Sequence, residues 1–201
     1  MKKPLSEMTL KELWQLFPII LVAHRDDWAE WFREEAAALG PLLPPGTRIH
    51  HIGSTAIRGI WAKPIVDILA ELPAGIEPPG VKGALLSHGW LCMNEREGRI
   101  SFNKGYTEDG FAERVFHLHV RRAGDADEIA FRDYLNARPA VANEYERLKL
   151  SLWKPFEHDR DGYTAAKSDF VRKATALAQQ PDGARGGTDA PGGTATEGKA
   201  E

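Results

Sequence analysis

From Lys63 to Leu72 the chain reads Lys-Pro-Ile-Val-Asp-Ile-Leu-Ala-Glu-Leu. One acid inside that apolar run constrains the fold more than any other feature. A run rich in β-branched residues predicts a strand buried on both faces, so Lys63–Leu72 is expected inside a sheet. A lone carboxylate there, Asp67, is costly unless something pairs with it. The partner is either a cation, such as a metal ion, or a buried Arg or Lys. Upstream, Arg48 to Ile52 reads as a short strand that enters the turn Gly53-Ser54-Thr55. Backbone N–H groups in such a turn can approach a phosphate closely. Arg58 and Lys63 place two cations in the connecting loop. A phosphate turn followed by a strand-borne acid suits Mg²⁺, which takes oxygen ligands and phosphate partners.

The 201 residues and 42% hydrophobic content fit one compact domain. A net charge of −3 and a pI near 6.2 argue against nucleic acid as the partner. A single cysteine, Cys92, rules out an intramolecular disulfide and fits a reducing, cytoplasmic setting. Its neighbours Leu91 and Met93 make it a buried, inert thiol. Met1-Lys-Lys-Pro lacks the pattern of a signal peptide, and no apolar run reaches membrane-spanning length.

Thr9-Leu-Lys-Glu12 predicts a capping box at the start of a helix that Pro18 ends. Pro18–His24 reads as strand or extended chain. Asp26 or Asp27 is expected to cap a second helix, with Trp28, Trp31, Phe32 and Leu39 on its core face. Val81–His88 reads as a short helix stopped by Gly89. Trp90–Met93, Ile100–Lys104 and Arg114–Val120 read as strands, the last two joined by the turn Thr107–Gly110. Three helices are expected after Asp127, which caps the first of them. The last is read as Tyr163–Ala178, with Phe170, Val171, Ala174 and Leu177 inward. These helices are expected to pack beside the sheet, which gives a mixed α/β (α+β) domain over residues 1–179. Residues 180–201 contain no large apolar side chain and are expected to form a disordered tail.

His117 and His119 are two apart on a strand and so share a face, opposite Phe116, Leu118 and Val120. Such a pair can ligate a metal, bind phosphate when protonated, or act as acid and base. It can equally be a hydrogen-bonded structural pair. Arg114 precedes this strand. Tyr163 and Lys167 share one face of the final helix, where Lys167 can neutralise a phosphate or pair with Asp67.

His51-Ile-Gly-Ser-Thr-Ala-Ile, then Gly59, then Ala62-Lys-Pro-Ile-Val-Asp-Ile resembles the signature of the GrpB family. That family is grouped with the polymerase-beta-like nucleotidyltransferases. The resemblance covers roughly residues 5–178. It implies a mixed sheet of the nucleotidyltransferase type flanked by helices, and a site lined by His51, Asp67, His117 and His119. Gly53, Ser54, Thr55, Arg58, Lys63, Arg114 and Lys167 would hold phosphate. The nucleotidyltransferase pattern continues Asp-x-Asp or Asp-x-Glu, but this chain has Leu69 in place of the second acid. Three readings follow. One is a Mg²⁺-dependent nucleotidyl or phosphoryl transferase. The second is a binding module for a nucleotide or other phosphorylated small molecule, without turnover. The third is a Zn²⁺ or Fe²⁺ protein using Asp67, His117 and His119.

Overall fold

The computed structural model describes residues 2–180, so the expected tail from 181 onward lies outside the described residues. Thr9 and Glu12 form the expected reciprocal cap. The Thr9 hydroxyl accepts from the Glu12 amide at 3.3 Å, and Glu12 accepts from the Thr9 amide at 2.7 Å. Helix α1 (Leu10–Leu16) follows. Pro18–His24 is extended and is joined to Ala62 by a two-way bridge at Val22, with N···O distances of 2.9 and 3.0 Å.

Helix α2 (Asp27–Leu39) buries Trp28, Trp31 and Leu39. Neither aspartate caps it. Asp26 is itself helical (φ −69°, ψ −25°), and the Asp27 carboxylate accepts from Arg25.

Five strands form one mixed sheet: β1 (Arg48–Ile52), β2 (Val66–Glu71), β3 (Leu91–Arg96), β4 (Arg99–Thr107) and β5 (Gly110–Arg121), in the order β1-β2-β5-β4-β3. Only β2 and β5 pair in parallel. A parallel pair needs a long crossover. Here helix α3 (Lys82–Ser87) and strands β3 and β4 provide it. The β4–β5 hairpin turns where the Thr107–Gly110 segment predicted it. The strand around Asp67 is shorter than its apolar run, because Pro64 has no N–H to give a ladder.

Side-chain alternation gives the sheet two different faces. Ile68, Ala70, Ile100, Phe102, Phe116, Leu118 and Val120 meet the tryptophans of α2 in the main core, with Cys92 half-buried at its edge. Asp67 sits opposite His117, and Leu69 opposite His119, so all four side chains lie on the other face. That face is covered by α4 (Asp127–Asn136), α5 (Pro139–Trp153) and α6 (Arg160–Ala178). Asp127 lies in the first turn of α4 rather than capping it, and accepts from Gln179 at 2.7 Å. Helix α6 begins at Arg160, before Tyr163, because Asp159 accepts from the Gly162 amide at 2.8 Å and caps it. Leu177 is 44% exposed and not inward. Among the described residues no helix is long and apolar enough to cross a membrane.

Candidate anion-binding cleft

Gly53 follows β1 at φ 70° and ψ −171°, a backbone state that a side chain resists. Its bare Cα also lies against Asp67. A Cβ added there would sit 2.9 Å from Asp67 Cγ, and closer still to Oδ2. The glycine thus lets the turn and the acid strand approach to contact. Ser54–Ala56 then forms a short 3₁₀ turn whose first amides have no acceptor within the turn.

Asp67 is held from its sheet neighbour. His117 Nδ1 lies 3.1 Å from Asp67 Oδ1, and His119 Nε2 lies 3.8 Å from the same oxygen. On the far side of His117, Nε2 is 2.8 Å from the Tyr106 hydroxyl, which accepts from Arg160 Nη1 at 3.0 Å. Arginine can only donate, so the tyrosine proton goes to Nε2 and the remaining imidazole proton, on Nδ1, goes to Asp67. The relay fixes a neutral His117 in one tautomer. Burial lowers the affinity of His117 for a second proton. Burial also works to raise Asp67, but the two imidazoles outweigh it and hold the carboxyl well below the usual carboxylate range. Asp67 is therefore ionised, with Oδ1 engaged and Oδ2 beside Gly53.

Tyr106 reaches His117 because of a bulge. The β4–β5 register shifts between Lys104 and Tyr106 at Gly105, which has φ 89°. A Cβ at Gly105 would lie 3.1 Å from Val115 Cα and nearer still to the Arg114 carbonyl oxygen. The extra residue turns Tyr106 back to the histidine face.

Above the carboxylate is a cavity of about 220 Å³ lined by Gly53, Ser54, Asp67, His117, Tyr163 and Lys167, and also by Lys63, Tyr145 and Lys149. It adjoins a wider groove of about 720 Å³ that shares Gly53, Asp67, Phe131, Tyr145 and Lys167 and adds His119. Two lysines follow the same rule. Lys149 lies four residues after Tyr145 on α5, and Lys167 four after Tyr163 on α6, so each pair shares a helical face. Each Nζ sits over its own ring, 4.9 and 4.3 Å from the centroid. Lys63 Nζ approaches the Tyr163 ring as well, at 5.8 Å.

Lys149 is 2% exposed and donates to the Trp61 carbonyl. Burial, with the neighbouring cations, lowers Lys63 and Lys149 to about 7 and burial lowers Lys167 to about 8. Among the described residues, the ion pairs formed include none of these three lysines, and Asp67 is paired only with the two histidines.

Three expected phosphate residues lie elsewhere. The Thr55 hydroxyl is buried between His51 Nε2 (3.0 Å) and the Ile65 carbonyl (3.4 Å). Arg58 lines separate surface grooves near Arg132 and His24, and its amide donates to Asn136 at 3.0 Å. Arg114 alternates onto the α2 face, where it pairs with Glu34 and lies over Trp31. His51, expected at the site, is on that face too, stacked on Phe32 at 4.9 Å. Glu71, the next acid on the Asp67 face, cannot replace the missing second acid. It accepts from Arg48 at 2.5 Å and from the Gly124 amide at 2.8 Å. Among the described residues no group of three His, Cys, Asp or Glu is placed to hold a metal ion. Tyr106, Tyr145, Lys149 and Arg160 were not singled out from the sequence.

The chain is similar to a UPF0157 protein of Pseudomonas aeruginosa, at 36% identity over 150 residues. That match covers 73% of this chain and 62% of the relative, less than two thirds of the relative's length. It is similar to the glutamate-rich protein GrpB of Alkalihalophilus pseudofirmus at 35% identity over 160 residues, covering 76% of this chain and 91% of the relative. Among solved structures, the conserved protein GrpB from Enterococcus faecalis superposes with a TM-score of 0.68 at 30% identity, covering 79% of this chain and 96% of that one. A family model described as GrpB protein matches residues 18–177. This chain belongs to the GrpB family.

Proposed function

We propose that the cleft between β2 and the helices α5 and α6 binds a phosphorylated small molecule, with nucleotides as the first class to test. The observation that carries this reading is the charge balance. Among the described residues, Lys63, Lys149 and Lys167 face one cavity that holds a single carboxylate, and that carboxylate is already shared by two histidines. Lys149 is buried and Lys63 and Lys167 are half-buried, and cations held that far from water without a paired counter-ion are unfavourable. A phosphate supplies the counter-ion, and the amides of the Ser54 turn add donors, while the Ser54 hydroxyl is engaged by Tyr145. The adjoining groove, with Phe131 and Tyr145, has room for the rest of the ligand. The resemblance of the Gly53-Ser54 and Asp67 pattern to nucleotidyltransferases favours a nucleotide, and a cytoplasmic setting suits such ligands.

The donor set does not fit the metals considered. Two-ion Mg²⁺ chemistry needs bridging carboxylates. Here Asp67 stands alone, Leu69 is buried beside it, and Glu71 is engaged by Arg48. A Zn²⁺ or Fe²⁺ ion held by Asp67, His117 and His119 would need a free nitrogen on His117, and both are in hydrogen bonds. Binding without turnover is therefore the reading preferred over transfer.

Calorimetric titration with ATP and UTP, in chelator and then with Mg²⁺, tests this reading, with inorganic phosphate as the minimal probe. Saturable binding is expected without metal, and it should weaken steeply as salt is added. An absence of binding by all three probes under every condition would overturn it.

A further inference from the structure

We infer that the Tyr163 hydroxyl is a ligand-binding donor and that the cavity selects a terminal phosphoryl group over a phosphodiester or a carboxylate. This rests on the reading of the cleft as an anion site. Tyr163 is 1% exposed and lines the inner cavity, and among the described residues its hydroxyl has no hydrogen-bond partner. An unpaired buried hydroxyl is a standing cost to the fold, so a partner is missing. Burial pushes the phenol to a higher pKa, so it remains a donor at any ordinary pH.

The other polar groups of the cavity show what that partner is. The Lys63 and Lys167 side chains lie over this same ring, and in their charged form they can only donate. The Lys149 ammonium has further protons beyond the one given to Trp61. Among the described residues the Asp67 carboxylate is the one charged acceptor lining the cavity, and one of its oxygens is taken by His117. Donors thus converge from α5, from α6 and from Lys63 ahead of β2, on a space of about 220 Å³. A carboxylate brings two oxygens, and a phosphodiester brings two charged oxygens with two bulky substituents. A terminal phosphoryl group brings three oxygens around one small centre and a single substituent, which can leave through the wider groove. Internal phosphates of a polynucleotide are diesters and do not meet this description.

The test uses the full chain and four probes: inorganic phosphate, methyl phosphate, dimethyl phosphate and acetate. Binding is followed by calorimetry and by thermal shift. Wild type should bind inorganic and methyl phosphate at least about tenfold more tightly than dimethyl phosphate or acetate. Tyr163→Phe should bind methyl phosphate about tenfold more weakly. Without ligand it should melt roughly 2–6 °C higher than wild type, because it no longer buries an unpaired hydroxyl. A purely structural tyrosine would not move stability and affinity in opposite directions.

Fluorotyrosine in the tyrosine positions of the folded protein offers a second readout. The resonance lost in Tyr163→Phe should shift on adding phosphate to wild type. Equal binding of methyl phosphate by wild type and Tyr163→Phe, or equal binding of methyl and dimethyl phosphate by wild type, overturns the inference but leaves the anion site standing. Failure of wild type to bind any of the four probes, and ATP and UTP as well, removes the anion site itself; failure on the four alone, with nucleotide bound, overturns only the selection of a terminal phosphoryl group.

Discussion

Replacing Lys63 and Lys167 together by Met should weaken inorganic phosphate and nucleotide binding by about a hundredfold or more, since charge-assisted hydrogen bonds are worth roughly 1.5–3 kcal/mol each. The same change should leave the ligand-free protein at least as stable as wild type. Both ammonium groups lie over the Tyr163 ring without a carboxylate partner. Met keeps the stem packing while removing a half-buried charge that only the distant field of Asp67 offsets, and exchanges of such charges for apolar side chains are often neutral or stabilising. Titration and thermal denaturation of the double variant check both halves. Unchanged affinity would contradict the anion site. A large fall in ligand-free stability would mean that the lysines serve the fold and have partners in solution.

Gly53→Ala should damage the site severely, because the new methyl meets the Asp67 carboxylate itself. At φ 70° and ψ −171° the substitution incurs a backbone penalty of about 1–3 kcal/mol. The new Cβ would also meet Asp67 Cγ at 2.9 Å, inside any ordinary contact, so Asp67 must swing away. Leaving its rotamer, the carboxylate loses His117 Nδ1 at 3.1 Å, and the relay through Tyr106 to Arg160 loses its acceptor. A fall of roughly 4–12 °C in melting temperature is expected, from the backbone strain together with a broken buried charge-assisted bond. Phosphate binding should be lost with it. A Gly53→Ala protein that melts and binds like wild type would show that the turn and the strand are not in contact.

The part of this site that obeys a period was legible in the sequence. Strand alternation put His117 and His119 on one face, and the apolar run around Asp67 placed it inside the sheet; the register then joined them. The pairing of Gly53 with Asp67 was legible as a pattern, although not its reason, which is a contact of a bare Cα across two strands. Nearness in sequence misled elsewhere. Thr55 and Arg58 follow the turn directly, but the 3₁₀ turn at Ser54–Ala56 carries them away from the cleft. Arg114 lies on the same strand as the histidines and fails by parity, since an even offset from Phe116 assigns it to the α2 face. Tyr106 was hidden by the opposite effect, a bulge that alternation cannot foresee. One missed residue did leave a signal. Lys149 interrupts the inward stripe of α5 four residues after Tyr145, and the same spacing recurs at Tyr163 and Lys167. A lysine on a buried helical stripe is expensive enough to mark a site.

Proton uptake on binding tests the central claim most directly, because it follows from the lysines themselves. In the free protein Lys63 and Lys149 titrate near 7 and Lys167 near 8, lowered by burial, with mutual repulsion adding for Lys63 and Lys149. An arriving phosphate favours the charged form of each and raises these values. At pH 8 the complex must therefore take up protons, whereas at pH 6 the lysines are already charged and hold nothing further to gain. Affinity is accordingly greatest below the free values and falls as pH rises through them. Calorimetric titration of inorganic phosphate at pH 8, in two buffers of different ionisation enthalpy, measures the uptake. After correction for phosphate's own protonation, roughly one proton or more should be taken up per phosphate bound. Binding with no proton uptake at pH 8, and with equal affinity at pH 6 and pH 9, would contradict a phosphate site built from these lysines.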